Sequence, residues 1–240
     1  MDLETDEDLH APDADRVAAR AMVLAAVAWR GLIENEESTD ERGAEDVRRD
    51  IVTWLDGHGL STEVEEAEMR LLATPVGKLG RKAIIDACWR SEGLAVLAWA
   101  LHRATLPSVH TLCEPVPIAK ALGFLEDREA TGLPAPMLRN SAEIEHWAHT
   151  YLALHWRMRE FSLRAVRIDF VSYAAKCRWA RLELNDLEVI DDDLAIQGVR
   201  IDLVDQRVFR DVLSITIERR IALDWLLGFE LLYSEVTTDT

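Results

Sequence analysis

The chain has 240 residues, 49% of them apolar, and a formal net charge of −17. That length suffices for a sizeable buried core. A field of this sign repels phosphate backbones and anionic lipid surfaces, so binding to nucleic acid or membrane is not expected. No run of eighteen apolar residues occurs, so nothing reads as a membrane-spanning helix.

Met1 to Asp15 carries seven acids and no Lys or Arg. It reads as a disordered acidic segment without the basic start and apolar stretch of a secretory signal. From Arg16 a helix is expected, with Val17, Ala21, Leu24, Ala25, Ala28 and Leu32 at three- and four-residue steps and Gly31 near its end. A charged connector, Glu34 to Glu45, leads to a second helix through Val47, Ile51, Trp54 and Leu55, which Gly57 and Gly59 stop. A third, short helix is expected after Ser61 or Thr62, with Thr62 and Glu65 spaced as a capping box, and it ends before Pro75.

Arg81 to Leu101 is the most informative helix. Its segment from Leu94 to Leu101 is apolar all round and is expected to lie at the centre of the fold, with Gly93 permitting a close crossing. Residues 103–140 hold five of the seven prolines, around a short helix expected over Ile118 to Asp127. Its apolar residues favour an ordered wrap over a linker. Ser141 is expected to cap a long helix through Trp147, Tyr151, Leu154, Met158 and Phe161, with a break near Phe161 to Arg167. An acidic turn at Asn185 to Asp193 precedes a small hairpin or extended loop at 194–201. A last helix is expected from about Leu203 to Leu227, ended by Gly228. The fold class is therefore mainly all-α, with at most that small β-hairpin. No repeat or compositional break divides residues 16–240, which are expected to form a single domain around the buried central helix.

Three segments resemble one bacterial family: Trp89 to Leu101 (WRSEGLAVLAWAL), Glu218 to Leu226 (ERRIALDWL) and the tail Thr237 to Thr240. Their order and spacing are similar to the domain-of-unknown-function family numbered 4272, over roughly residues 16–240. The resemblance implies a helical fold and its extent; it implies no chemistry. The chain departs from the family's pattern at Arg220, where a His is usual, at Asp224, where an Asn is usual, and at Ser234-Glu235, which replaces a Trp-Asp pair.

Charged residues next to or within the apolar helices are the candidates for function. Arg90 and Glu92 precede the central apolar run, and Glu218, Arg219 and Asp224 interrupt the last helix. Buried charge is costly unless paired, so the first reading is an ion-pair and hydrogen-bond network that fixes helix register. The second reading makes Glu92, Glu218 and Asp224 catalytic acids or bases, with Arg90, Arg219, Trp99 and Trp225 as binding residues. Glu143, His146 and His149 share a helix face at ligand spacing. With no second Glu-x-x-His in the chain, the ligand set is incomplete and no metal or other cofactor is expected.

The stretch Trp156 to Arg181 interleaves arginines with aromatic residues. That pattern can grip bases and phosphates, but in an acidic chain intramolecular pairing is the preferred reading. Of the eight tryptophans, any found exposed would mark an interface. Asp186, Asp191, Asp192 and Asp193 read as a solvated acidic turn, because the calcium-loop pattern is absent. Cys88, Cys113 and Cys177 lack metal or redox spacing and are expected to be reduced thiols of a cytoplasmic protein. Gly-rich phosphate loops, His-Glu-x-x-His and Gly-x-Ser-x-Gly are all missing. The expectation is thus a non-enzymatic protein-binding module with an acidic surface for a basic protein partner, in the manner of an immunity protein. Its candidate contacts are residues 34–45, including Glu36 and Glu37, and the loop 107–136. The alternative is an enzyme or small-ligand binder using the Arg/Glu/Asp cluster.

Overall fold

The computed structural model describes residues 11–35, 41–127 and 132–238. The acidic segment up to residue 10, Glu36 and Glu37 of the connector and the last two residues of the tail lie outside the described residues. The chain folds as two compact units, along a sequence whose composition carries no boundary. An N-terminal unit comprises Pro12–Leu106 and Cys113–Arg139. A C-terminal unit includes Pro107–Leu112 and the chain from Asn140 onward.

The N-terminal unit is built on α1 (Ala14–Asn35), α2 (Glu41–Gly57), α3 (Glu66–Ala73), α4 (Arg81–Ala100) and α5 (Pro115–Leu122). Asp13 accepts the Arg16 N–H at 2.8 Å and opens α1. Helix α1 packs along α4, and the segment Leu94–Leu101 is buried throughout, as its all-round apolar character requires. Helix α1 is nearly as deeply enclosed, from Val23 to Ala28. Small residues let the two axes approach. A Cβ added at Gly31 would lie 2.8 Å from the Cys88 backbone nitrogen and 2.9 Å from its Sγ.

Three local expectations shift. Residues Leu60–Thr62 form a 3₁₀ turn, and the box that opens α3 is Glu65 with Glu68, whose carboxylate accepts the Glu65 N–H at 3.0 Å. The short helix starts at Pro115, because proline suits a first turn that has no acceptor for its missing N–H. It ends at Gly123, whose φ of 78° only glycine adopts cheaply. The proline-rich chain is an ordered wrap over its described part: Arg139 donates to the Trp99 carbonyl at 2.8 Å and covers the Trp99 ring at 5.0 Å.

The C-terminal unit holds α6 (Ser141–Leu163), α7 (Phe170–Lys176), strands β1 (Val189–Ile190), β2 (Asp193–Ile196) and β3 (Val199–Arg200), and α8 (Gln206–Leu226). The cap of α6 is Asn140, one residue before the expected Ser141; its side chain accepts the Glu143 N–H at 2.9 Å. The expected break follows Leu163. Helix α6 packs on α8, which begins after Asp205 accepts the Arg207 N–H at 2.8 Å. The strands form one antiparallel sheet in the order β1-β2-β3. Gln197 and Gly198 both take positive φ, 54° and 73°, the signature of a two-residue hairpin turn. The fold is mainly helical with a small sheet, one strand larger than the expected hairpin.

Candidate functional site

Most of the charged residues singled out in the helices have structural partners. On α4, Glu92 is fully buried and accepts the Cys113 N–H at 2.9 Å, which fastens the wrap to the helix. Arg90 is half-buried, and Trp99 is buried under Arg139. These three belong to the N-terminal unit. Glu218, Arg219, Asp224 and Trp225 belong to the C-terminal unit. Arg219 is fully buried and donates to the carbonyls of Pro107, Ser108 and Thr111 at 3.0, 3.0 and 2.7 Å, and to the Tyr151 hydroxyl at 2.8 Å. One guanidinium thereby organises the whole 107–112 loop. Trp225 is buried against Tyr233, with ring centroids 5.8 Å apart, and Glu218 is half-buried on α8.

One fully buried ion pair has a carboxylate that escaped the sequence reading. Asp193, expected in a solvated turn, is fully buried at the start of β2. Its carboxylate accepts two bonds from Arg157 at 2.6 and 2.7 Å, and the N–H groups of Ile168 at 3.1 Å and Leu194 at 2.8 Å. Buried charge survives here because the fork is bidentate and the remaining lone pairs are filled. Its neighbours Asp191 and Asp192 do sit in an exposed turn. Elsewhere in the basic stretch, Arg167 approaches Asp191 at 3.7 Å and Arg181 approaches Glu183 at 3.2 Å.

Of the candidate metal ligands, Glu143 lies beside the α6 cap and His146 pairs with Asp186 at 2.6 Å. His149 lies on the wall of a cleft. Among the described residues no group of three or more His, Cys, Asp or Glu side chains is arranged to hold a metal ion.

That cleft lies in the C-terminal unit and has a volume of about 540 Å³. Helix α6 contributes His149, Leu152 and Trp156, the segment after α7 contributes Trp179 and Arg181, and the end of α8 contributes Arg220 and Asp224, with Phe229 beyond it. The aromatic wall is fixed: Trp156 stacks on Tyr173 with centroids 4.0 Å and planes 7° apart, and the Trp179 indole N–H donates to the Tyr173 hydroxyl at 3.2 Å. Trp179 is nevertheless 53% exposed. On the floor, Arg220 donates to Asp224 at 3.2 Å, to the Thr238 carbonyl at 3.2 Å and to His155 Nδ1 at 2.7 Å. Because Arg220 can only donate, Nδ1 accepts and the His155 proton sits on Nε2. Burial pushes the Asp224 pKa up to about 6 against the pull of Arg220. Burial, followed by the Arg181 charge, lowers that of His149. The two helix positions that depart from the resembled family pattern, Arg220 and Asp224, are thus each other's partners.

The N-terminal unit has its own cleft of about 570 Å³, with Trp54, His58 and Arg103 among its walls and the Leu133–Pro136 segment along one side. Its polar groups are largely engaged: the Trp54 indole donates to the Glu126 carbonyl at 3.0 Å, and His58 bonds to the Trp54 carbonyl at 2.8 Å.

A family model described as a domain of unknown function (DUF4272) matches residues 2–180. This chain belongs to that family. No curated protein and no solved structure matches it. The matched range takes in the Trp89–Leu101 segment, whereas Glu218–Leu226 and the tail lie beyond it. Trp156, His149 and Trp179 therefore fall inside the family region, and Arg220 and Asp224 outside it. No helix among the described residues is long and apolar enough to cross a membrane.

Proposed function

We propose that this protein works by binding, not catalysis, and that the C-terminal cleft is where it binds. The observation that carries this reading is Trp179, a large aromatic left more than half exposed on a wall that hydrogen bonding and stacking hold rigid. Rigid, partly exposed tryptophans beside a concave, mainly apolar surface are the usual anchors of recognition. Arg219, Glu92 and the Arg157–Asp193 pair favour the same reading, since their charges are spent on holding the fold. In this reading the protein resides in the cytoplasm, supported by cysteines that lack disulfide-framework or redox spacing.

The test is a ligand-observed NMR screen of a fragment library against the full chain and its Trp179→Ala variant. Fragments whose binding disappears in the variant support the cleft as the site. A screen in which every hit binds both proteins equally refutes it. The net charge of −17 favours a second reading, in which a segment of a basic protein is the occupant. Capture of a stoichiometric basic partner that is released by high salt and lost in Trp179→Ala would support that version.

A further inference from the structure

We propose that the C-terminal cleft takes an uncharged, planar heteroaromatic molecule with an N–H donor on its edge, the chemistry of a free nucleobase. The inference rests on the binding reading above and adds the ligand class. A cleft of about 540 Å³ lies within the range of small-molecule sites, and its exposed wall is a flat indole. Stacking on that wall needs only a π-face and little reorganisation, because Trp179 is already held by Tyr173.

The floor selects for hydrogen bonding without net charge. Asp224 Oδ2 accepts from Arg220, and the same carboxylate lines the cleft, where an edge N–H can reach it. Beside it the Arg220 guanidinium is engaged with Asp224, His155 and the Thr238 carbonyl, so what the floor offers a ligand is the carboxylate acceptor. Charges in and around the cleft compensate. Arg220 faces Asp224 at 3.2 Å, and Arg181 faces Glu183 at 3.2 Å. A cationic ligand would meet two arginines, and an anionic one would approach against a field of −17. Burial of the Asp224 carboxyl strengthens any hydrogen bond it accepts.

Isothermal titration calorimetry of the full chain at pH 8 tests this with adenine, adenosine monophosphate and a hexa-arginine peptide. Adenine is expected to give a saturable isotherm that weakens about tenfold in Trp179→Ala, where a stacking platform is lost. Trp179→Phe should retain binding to within about threefold, since the flat ring remains. Asp224→Asn should weaken it severalfold, with an unchanged circular dichroism spectrum as the control on folding. Adenine binding that is unaffected by Trp179→Ala overturns the proposal. A monophosphate that binds tenfold more tightly than the base overturns the uncharged class. If only the peptide binds, and does so through Trp179, the ligand class falls while the cleft stands. If no probe binds to millimolar concentration, the proposal is overturned and the binding reading loses its main support.

Discussion

Replacing Gly31 by alanine tests the close approach of α1 and α4, because two opposing terms meet at one atom. Within a helix the change is ordinarily favourable, by about 1 kcal/mol, since alanine restricts the unfolded chain and has the higher helix propensity. Here the new methyl would sit 2.8 Å from the Cys88 backbone nitrogen, 2.9 Å from Cys88 Sγ and 3.0 Å from the Ala87 Cβ. The sulfur can rotate away; the backbone nitrogen cannot. Relief therefore requires two packed helices to part, each buried at this depth, with Leu24 and Ala28 on α1 and Leu94 and Leu97 on α4 all buried. Overpacking of this kind costs ~1–3 kcal/mol, and with two backbone-anchored contacts the upper half of that range applies. Net destabilisation should be about 1–2 kcal/mol, or a fall in Tm of roughly 2–8 °C for a chain of this size. The paired control is Gly43→Ala in α2, where a Cβ meets nothing within 4 Å and the sign should reverse. Guanidinium denaturation of both variants, followed by tryptophan fluorescence, measures the difference. A Gly31→Ala protein as stable as the parent would refute the argument from close packing.

Asp193→Asn should cost about 3–5 kcal/mol, because it leaves the buried Arg157 charge without its counter-ion, and urea denaturation of the C-terminal unit's signal reads this directly. Arg219→Lys keeps the charge but cannot reach three carbonyls and a hydroxyl together, so the 107–112 loop should be cut markedly faster in limited proteolysis at a cost of about 1–3 kcal/mol. For Asp224 the folded pKa, about 6, lies above its ordinary value of 3.8, so the folded state holds the proton more tightly. Its ionisation therefore opposes folding fully above pH 6, and that penalty, of up to ~3 kcal/mol, is relieved as pH falls toward 4. The wild-type stability profile minus that of Asp224→Asn should rise over that window on acidification; a flat difference would count against a desolvated carboxyl. Glu45 runs the other way: Arg48 and the Val76 N–H hold its pKa down to about 2, so Glu45→Gln should flatten the loss of stability below pH 4.5.

Helix content was legible because it rests on short-range pattern. Leu94 to Leu101 is apolar at every position, and such a run has only one comfortable place, inside. Gly123 and Gly228 ended their helices at positive φ, and the break after Leu163 was expected from length alone. The cap positions slipped by one residue or more where two polar residues stood together, as at Asn140 and Ser141, since either can accept the bond and only the local backbone decides. The candidate site was harder to see. Asp193 sits in an acidic run indistinguishable from a solvated turn, and its burial depends on an arginine 36 residues away. Trp179 was one tryptophan among eight, and only the tertiary fold leaves it exposed. A signal did exist in the arginine-aromatic interleaving of Trp156 to Arg181, which marks the segment that carries Arg157 and Trp179. Asp224 stood out in sequence as a charge on an apolar helix and Arg220 as a departure from the family pattern, yet nothing local foretold that they would share a cleft with Trp156 and Trp179.

The Arg157–Asp193 fork also bears on what the family boundary means. The match ends at residue 180, between the two halves of that ion pair. A protein trimmed to the matched region would keep Arg157 on α6 and discard the carboxylate, the strand and the hairpin that neutralise it. The matched region therefore lacks part of what holds the buried charge of α6. Relatives whose chains stop near the end of the match must either solvate that arginine, replace it, or supply an anion from elsewhere.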